Sequence, residues 1–261
     1  MMRSRGLFLL GRGFSLIELL VVMALIGLLV ALTIPAMNSI KGAGNVTKAA
    51  YDIAGTLEQA RAYAMANNTY TWVGFFEEDA SQPSATPATA GTGRLVLSFV
   101  ASKDGSTVYT NVVSPATTIP PGGFVQIGKL IKIDNVHLKS AIADDPVFPI
   151  GKGTGATFDA RPAVAWDTAK IGDTSPPDSL RPIQYPVGAA TPAPTAQYTF
   201  KKLIQFNPLG EARVNNNNYS LKPAVEIGLQ PSRGTVPDTN SKNVVAIQVT
   251  GIAGRVNIYR P

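Results

Sequence analysis

Residues 14–34 read FSLIELLVVMALIGLLVALTI, a run of 21 residues with one charged side chain, Glu18, and Pro35 follows directly. A helix needs about 20 apolar residues to cross the hydrocarbon layer of a membrane. The apolar core of a secretory signal peptide is shorter, about 7–15 residues, and ends at a small-residue cleavage site. The run therefore predicts a transmembrane or filament-core helix at 14–34, with any cleavage site in front of it.

Glu18 is the one charge in this apolar run. A carboxylate inside a membrane helix costs about 2.5 kcal/mol or more, so it usually has a partner. Cleavage between Gly13 and Phe14 would create an α-amine about one helical turn away. In a filament that amine, on a neighbouring subunit, would pair with Glu18 and fix the axial register, because mispairing leaves two unpaired charges. The alternative is a tolerated glutamate near a helix end that extends to the polar interface.

These residues also carry a family resemblance. The start of the apolar run resembles the cleavage and methylation motif of type IV prepilins and pseudopilins. The residues that carry the resemblance are Gly13-Phe14-Ser15-Leu16-Ile17-Glu18-Leu19-Leu20, followed by the rest of the apolar run and Pro35. The resemblance implies that residues 1–13 are a leader, that a prepilin peptidase cuts after Gly13, and that a methyltransferase N-methylates Phe14. It implies a single-pass protein of the bacterial inner membrane with a periplasmic C-terminal domain, which joins other pilins in a filament. Leu7-Phe8-Leu9-Leu10 makes this leader more apolar than is usual in the family.

The sequence changes character over 35–68, where apolar residues recur at spacings of three and four. This pattern predicts an amphipathic helix half that packs on a globular domain. The start of this helix half is weakened by Pro35, Gly42 and Gly44. We therefore predict a kink, or a stretch that can unfold locally, near 35–44, and the alternative is two separate helices joined there. The predicted apolar stripe consists of Ile40, Ala43, Val46, Ala50, Ile53, Leu57, Ala60 and Ala64. Asn67-Asn68 predict the helix end.

Residues 69–261 are rich in β-branched and aromatic residues separated by Gly, Pro, Asn and Asp, which predicts strands. The fold class is therefore α+β: a long N-terminal helix packed on a mainly antiparallel β domain, a pilin-like fold. A loop-rich insertion is expected at about 79–196, and a hairpin excursion at 230–242. The predicted strands are Thr69–Phe76, Arg94–Ala101, Thr107–Val113, Phe124–Ile133, Tyr198–Phe206, Ala224–Leu229, Val244–Thr250 and Arg255–Tyr259.

Three short segments resemble GspH/FimT-type minor pseudopilins. Leu57–Met65, with the strand after it, resembles the passage from helix to strand in these proteins. Phe206–Gly210 (FNPLG) resembles their late turn, and Gly254-Arg255-Val256 resembles their final turn. The matches cover both ends of the globular part but not 79–196. The resemblance implies a minor subunit of a type II secretion pseudopilus or of a type IV pilus-like filament.

Composition limits which other functions and binding sites the chain can have. The formal net charge is +6, but Arg3, Arg5 and Arg12 lie in the leader, and removing these three of the six charges leaves +3. Basic residues ahead of an apolar segment set membrane orientation, so we expect no nucleic-acid partner. The chain has no cysteine and one histidine, His137, which excludes disulfides, cysteine-ligated metals and multi-histidine sites.

We expect no cofactor, metal or catalytic residue. Gly123–Leu130 nearly fits a phosphate-binding loop, but Leu130 stands where a Ser or Thr must reach magnesium. The clusters Glu77-Glu78-Asp79 and Asp144-Asp145 offer oxygen ligands without calcium-loop spacing, so solvated loop charge is the favoured interpretation. His137 is expected to be a surface or hydrogen-bonded residue. The leading hypothesis is a pseudopilin subunit that is not an enzyme. The alternative is a membrane-anchored periplasmic enzyme or binding protein.

Overall fold

The computed structural model describes residues 15–105, 123–139, 161, 170–171, 182–188, 196–214 and 221–261, without the side chains of 31–44 and 170. The chain divides into two compact units, Met1–Lys41 and Gly42–Pro261, each of which is described by itself. In these residues one helix is followed by a mostly antiparallel β domain, which confirms the α+β fold class.

The helix, α1, is assigned from Leu16 to Ala66. Within the second unit, the six stripe residues whose side chains are described are fully buried, while Ile40 and Ala43 lie outside the described side chains. The helix ends as predicted: Asn68 adopts a left-handed conformation (φ 49°), and the backbone N–H of Thr69 donates to the Ala64 carbonyl. Asparagine tolerates this conformation better than most residues, which makes it a good helix terminator.

The β domain contains fourteen strands in the described residues. They are β1 Thr71–Asp79, β2 Gly93–Ser102, β3 Phe124–Gln126, β4 Ile131–Asp134, β5 Val136–Lys139, β6 Lys170–Ile171, β7 Ile183–Tyr185, β8 Tyr198–Phe200, β9 Lys202–Phe206, β10 Ala212–Val214, β11 Ala224–Arg233, β12 Val236–Pro237, β13 Val245–Thr250 and β14 Val256–Tyr259.

The strands form two six-stranded sheets and one two-stranded ribbon. The first sheet has the order β10-β9-β1-β2-β3, with β4 also paired to β2. The second has the order β12-β11-β13-β14, with β5 and β6 also paired to β11. The ribbon is β7-β8. Among the described strands, every pairing is antiparallel except that of β6 with β11.

The main hydrophobic core joins side chains of α1 to side chains of both sheets, for example Ile53 and Leu57 with Phe75, Leu97 and Ile247. A second cluster on the opposite face of the first sheet contains Trp72, Val96, Val100, Ile183, Tyr198, Phe200 and Leu203. Strands β1 and β2 are thus buried on both faces over most of their length, which explains why residues 72–76 and 95–101 are largely apolar and do not alternate.

Two predicted strands are interrupted. Phe124–Ile133 forms β3 and β4, which both pair with β2 on either side of Gly128. The Gln126 side chain fills the interruption, because its Nε2 donates to the carbonyl oxygens of Phe99 and Gly128. Tyr198–Phe206 breaks at Lys201, since β8 pairs with β7 whereas β9 pairs with β1. The predicted strand Thr107–Val113 lies outside the described residues.

The range 79–196, expected to be a loop-rich insertion, contributes to both sheets. Strand β2 lies beside β1 in the first sheet, and β5 pairs with β11 in the second. Residues 80–92 are held against β1 by two backbone hydrogen bonds: the Asp79 N–H donates to the Thr89 carbonyl, and the Gly91 N–H donates to the Glu77 carbonyl. Hydrogen bonds from the hydroxyl and backbone N–H of Ser81 lower the pKa of the Asp79 carboxyl. The described part of this range is therefore structural framework.

Candidate functional site

The first turn of α1 contains a helix cap that involves Glu18. Ser15 precedes the helix, and its Oγ accepts a hydrogen bond from the Glu18 backbone N–H at 3.2 Å. Serine at this position with glutamate three residues later is the capping-box sequence, and a negative charge in the first turn also favours the helix dipole. The S-x-x-E spacing of residues 15–18 is the local sequence signal for this cap.

Around this turn, the first unit presents an apolar surface on every side. The described side chains from Leu16 to Val30 are all exposed, and Leu16 itself is 82% exposed. The large apolar residues among them are Leu16, Ile17, Leu19, Leu20, Val21, Val22, Met23, Leu25, Ile26, Leu28, Leu29 and Val30. A helix that is apolar all round requires an apolar environment, because exposed patches of this kind mark membrane or protein contacts.

Comparison with known families matches residues 11–34 to the Prokaryotic N-terminal methylation motif. The chain carries the pilin-type processing signal. No curated protein and no solved structure gives a significant match. The methylation motif indicates a type IV pilin-like or pseudopilin precursor, which implies processing by a prepilin peptidase and assembly with other pilins. In the part of the chain whose side chains are described, no helix is both long and apolar enough to span a membrane.

The residues predicted for processing lie at the start of the methylation motif. Gly13 and Phe14 are outside the described residues, so cleavage and methylation there stay predictions. Glu18 lies in the first turn of α1 and is exposed, and its role in filament register stays a prediction. Pro35 lies just beyond the matched range, and its predicted kink involves a side chain outside the described set.

The three segments that resemble minor pseudopilins meet in the β domain. Glu58 Oε1 accepts a hydrogen bond from the Val256 N–H at 3.2 Å, which joins the helix to the final turn. A Cβ atom added at Gly210 would lie 2.8 Å from Met65 Sδ, and one added at Gly254 would lie 2.9 Å from Arg61 Cδ. The close approach of two turns to one helix face explains why both positions are glycine.

Gly254→Ala should destabilise the protein more than Gly234→Ala. Both glycines have φ of 59°, so both substitutions carry the cost of a left-handed alanine, about 1 kcal/mol. A Cβ at Gly254 would also collide with the Gly210 carbonyl oxygen, whereas nothing lies within 4 Å of one at Gly234. We expect Gly254→Ala to cost about 1–3 kcal/mol more in urea unfolding. Equal losses for the two variants would contradict the packed junction.

The acidic cluster 77–79 is not simply solvated loop charge, which corrects the sequence-based interpretation. Glu78 is 2% exposed, and Arg94 Nη1 donates to its Oε2 at 3.2 Å. Arg94 Nε also donates to Asp134 Oδ1 at 2.7 Å, and this hydrogen bond raises the pKa of the Arg94 guanidinium. The Tyr198 hydroxyl contacts both Glu78 oxygens at 3.4 Å. The cluster therefore links β1, β2, β4 and β8.

His137 was expected to be a surface or hydrogen-bonded residue; it is hydrogen-bonded, and it is buried and not at the surface. Its side chain on β5 is 9% exposed, and Nδ1 lies 2.7 Å from Glu77 Oε1 on β1. The pair connects the two sheets. Within the described ranges no group of three or more His, Cys, Asp or Glu side chains is arranged to hold a metal ion. Asp144-Asp145 lies outside those ranges.

Proposed function

We propose that the chain is a minor pseudopilin: it is cut after Gly13, N-methylated at Phe14, and assembled into a type II secretion pseudopilus or type IV pilus-like filament. The observation that carries the proposal is the methylation motif at 11–34, directly on a helix whose apolar side chains are exposed on all sides. A filament core or a membrane interior would bury that surface, at about 25 cal/mol per Å² of apolar area.

The same proposal places the precursor in the bacterial inner membrane as a single-pass protein, with its C-terminal domain in the periplasm. The leader carries Arg3, Arg5 and Arg12 ahead of the apolar run. Arginine and lysine are retained on the cytoplasmic side of the membrane, so the leader and the cleavage motif next to it stay on that side. The β domain then folds on the opposite side of the membrane.

Glu18 is the proposed register residue of the assembled filament. Its carboxylate is exposed, and in sequence Glu18 lies four residues after Phe14, whose α-amine cleavage after Gly13 would create. An apolar filament core penalises any unpaired charge, so only the arrangement that pairs carboxylate with amine is favoured. The role of its backbone N–H is separate, since that group caps the helix through Ser15.

Glu18→Ala and Glu18→Gln should leave cleavage mostly intact and impair assembly or methylation. We expect at least about a tenfold loss of subunit from sheared filaments, because the new amine then lacks its carboxylate. Immunoblots of sheared and cell fractions measure both steps. Ser15→Ala is the matched control, since it removes the cap but keeps the charge. Recovery of Glu18→Gln at the wild-type level would show that the carboxylate does not set register.

The minor, GspH/FimT-like assignment is also a proposal. It is supported by the contacts that bring Leu57–Met65, the FNPLG turn and the GRV turn together at one helix face. Arg260 extends this arrangement, because its Nη1 donates to Thr47 Oγ1 at 3.1 Å. Co-purification of the chain with a pilin-type filament at far below one copy per shaft subunit would support the minor role, and equal abundance would contradict it.

A further inference from the structure

Two turns and the end of α1 place three exposed apolar side chains close together. Leu209 is 77% exposed in the FNPLG turn, Ile252 is 72% exposed in the turn between β13 and β14, and Met65 is 48% exposed near the end of α1. The two turns are adjacent, because a Cβ atom added at Gly254 would collide with the Gly210 carbonyl oxygen. A Cβ atom added at Gly210 would lie 2.8 Å from Met65 Sδ. We call Met65, Leu209 and Ile252 the apolar tips.

Hydrogen bonds within each turn hold the apolar tips in place. In the FNPLG turn, Asn207 Oδ1 accepts from the Leu209 backbone N–H at 3.0 Å. In the β13–β14 turn, the Thr250 carbonyl accepts from the Gly254 N–H at 2.7 Å, and Thr250 Oγ1 accepts from the Arg255 N–H at 3.0 Å. Adjacent exposed apolar side chains mark a contact surface, and turns that are already fixed lose little conformational freedom when a partner binds.

Two acidic residues beside the tips are already paired with arginines. Glu58, which is bonded to the start of β14, has Arg61 Nη1 at 3.5 Å from its Oε2. Glu211, which directly follows the FNPLG turn, has Arg213 Nη2 at 3.1 Å from its Oε2. These carboxylates are therefore matched by cations of the same chain.

Two cations beside the tips are not matched in this way. Arg255 directly follows the β13–β14 turn and is exposed, and the backbone of Lys222 lies against Gly251 in that turn. In the described part of the chain, neither the Arg255 nor the Lys222 side chain has a hydrogen-bond or ion-pair partner. The surface that contains the apolar tips thus has a surplus of positive charge, which favours a partner with negative charge beside apolar groups.

We propose that the apolar tips dock an acidic amphipathic helix of another protein. Such a helix presents an apolar stripe with charged residues along its borders. The stripe would cover Leu209, Ile252 and Met65, and its acidic border would meet Arg255 and Lys222. A second copy of this chain fits less well, because a symmetric contact brings the unmatched cations towards their own copies. This surface is separate from the methylation motif, so the inference does not depend on processing or filament assembly.

Titration of labelled peptides onto the full chain in phosphatidylcholine nanodiscs tests the docking, with empty nanodiscs as the blank. The probe is the peptide ELLEELLEELLE, whose helix is acidic and amphipathic. KLLKKLLKKLLK keeps the apolar stripe and reverses the charge, whereas ESSEESSEESSE keeps the charge and removes the stripe. We expect saturable binding of the first peptide with a Kd of about 100 µM or tighter, and at least about tenfold weaker binding of the other two.

Variants of exposed residues locate the binding on the tips. Leu209→Ser/Ile252→Ser should weaken ELLEELLEELLE binding about tenfold or more, because it removes the two most exposed side chains of the surface. Arg255→Gln should weaken it about threefold and reduce its salt dependence. Val236→Ser is the matched control and should change the affinity less than about twofold. Val236 is 66% exposed in β12, which pairs with the end of β11 far from the β13–β14 turn.

Four results would overturn the proposal. The first is no binding of ELLEELLEELLE by the wild-type chain at about 1 mM peptide, or equal affinity for either matched peptide. The second is an unchanged affinity in Leu209→Ser/Ile252→Ser. The third is self-association in sedimentation velocity that this double variant abolishes, which would assign the tips to a second copy. The fourth is co-flotation of the nanodiscs with phosphatidylglycerol vesicles that the double variant abolishes, which would assign the tips to a membrane surface.

Discussion

Gly13→Ala leaves the precursor uncut, and the protein migrates as the longer, leader-bearing form. The expected reason is that a methyl group at the residue before the cut obstructs the peptidase. No α-amine then forms at Phe14, Glu18 has no partner in an apolar core, and incorporation into filaments is lost. Immunoblotting of cells that make the wild-type or variant chain measures this directly, because the two forms differ by thirteen residues.

Gly11→Ala is the matched control for that experiment. It adds the same methyl group two residues earlier in the leader and should be processed like the wild-type chain. A Gly13→Ala chain that migrates as the mature form would place the cut elsewhere. The proposed pairing of Glu18 with a new amine would then have no chemical basis.

Glu226→Gln is expected to lower the free energy of unfolding by about 3 kcal/mol or more. Arg161 is fully buried, and its Nε donates to Glu226 Oε2 at 2.6 Å while Nη2 donates to Oε1 at 3.3 Å. Gln248 Nε2 donates to the same carboxylate at 2.8 Å. Loss of the carboxylate charge removes the countercharge that Glu226 provides to a guanidinium in the protein interior. Urea unfolding followed by tryptophan fluorescence reports the change, since Trp72 is buried in the second cluster.

Two further variants separate this buried pair from general surface effects. Asp238→Asn removes the partner of Arg233, a pair at 3.6 Å in which Arg233 is 74% exposed, and should cost less than about 1 kcal/mol. The double variant Arg161→Met/Glu226→Leu removes both buried charges and should recover much of the loss, because apolar replacements of a buried pair are often tolerated. A Glu226→Gln loss no larger than that of Asp238→Asn would mean that the buried pair contributes little.

Local sequence patterns predicted the helix and the longer strands of this protein better than they predicted which strands pair. The stripe from Val46 to Ala64, the Asn67-Asn68 terminator and strands β1 and β2 follow from spacing and residue type, which act over a few residues. The short strands β5, β6, β7 and β10 were missed, because two to four residues give no readable period, whereas β12 pairs with β11 inside the hairpin expected at 230–242. Their strand conformation depends on pairing with distant segments.

The contacts between charged side chains could not be predicted either, because they also join segments that are distant in sequence. Glu78, Arg94 and Tyr198 are up to 120 residues apart in sequence, and no local signal links them. Arg161 lies in a stretch rich in Pro and Gly, where a buried arginine is not expected from composition. The methylation motif was readable because its residues are contiguous.

The N-terminus of the mature protein tests the central claim most directly. Intact-mass analysis with N-terminal sequencing of the protein purified from its own filaments or membranes should show a chain that begins at Phe14 and carries one added methyl group. A purified chain that retains residues 1–13, or that begins at any other residue, would contradict the account and favour a membrane-anchored enzyme or binding protein.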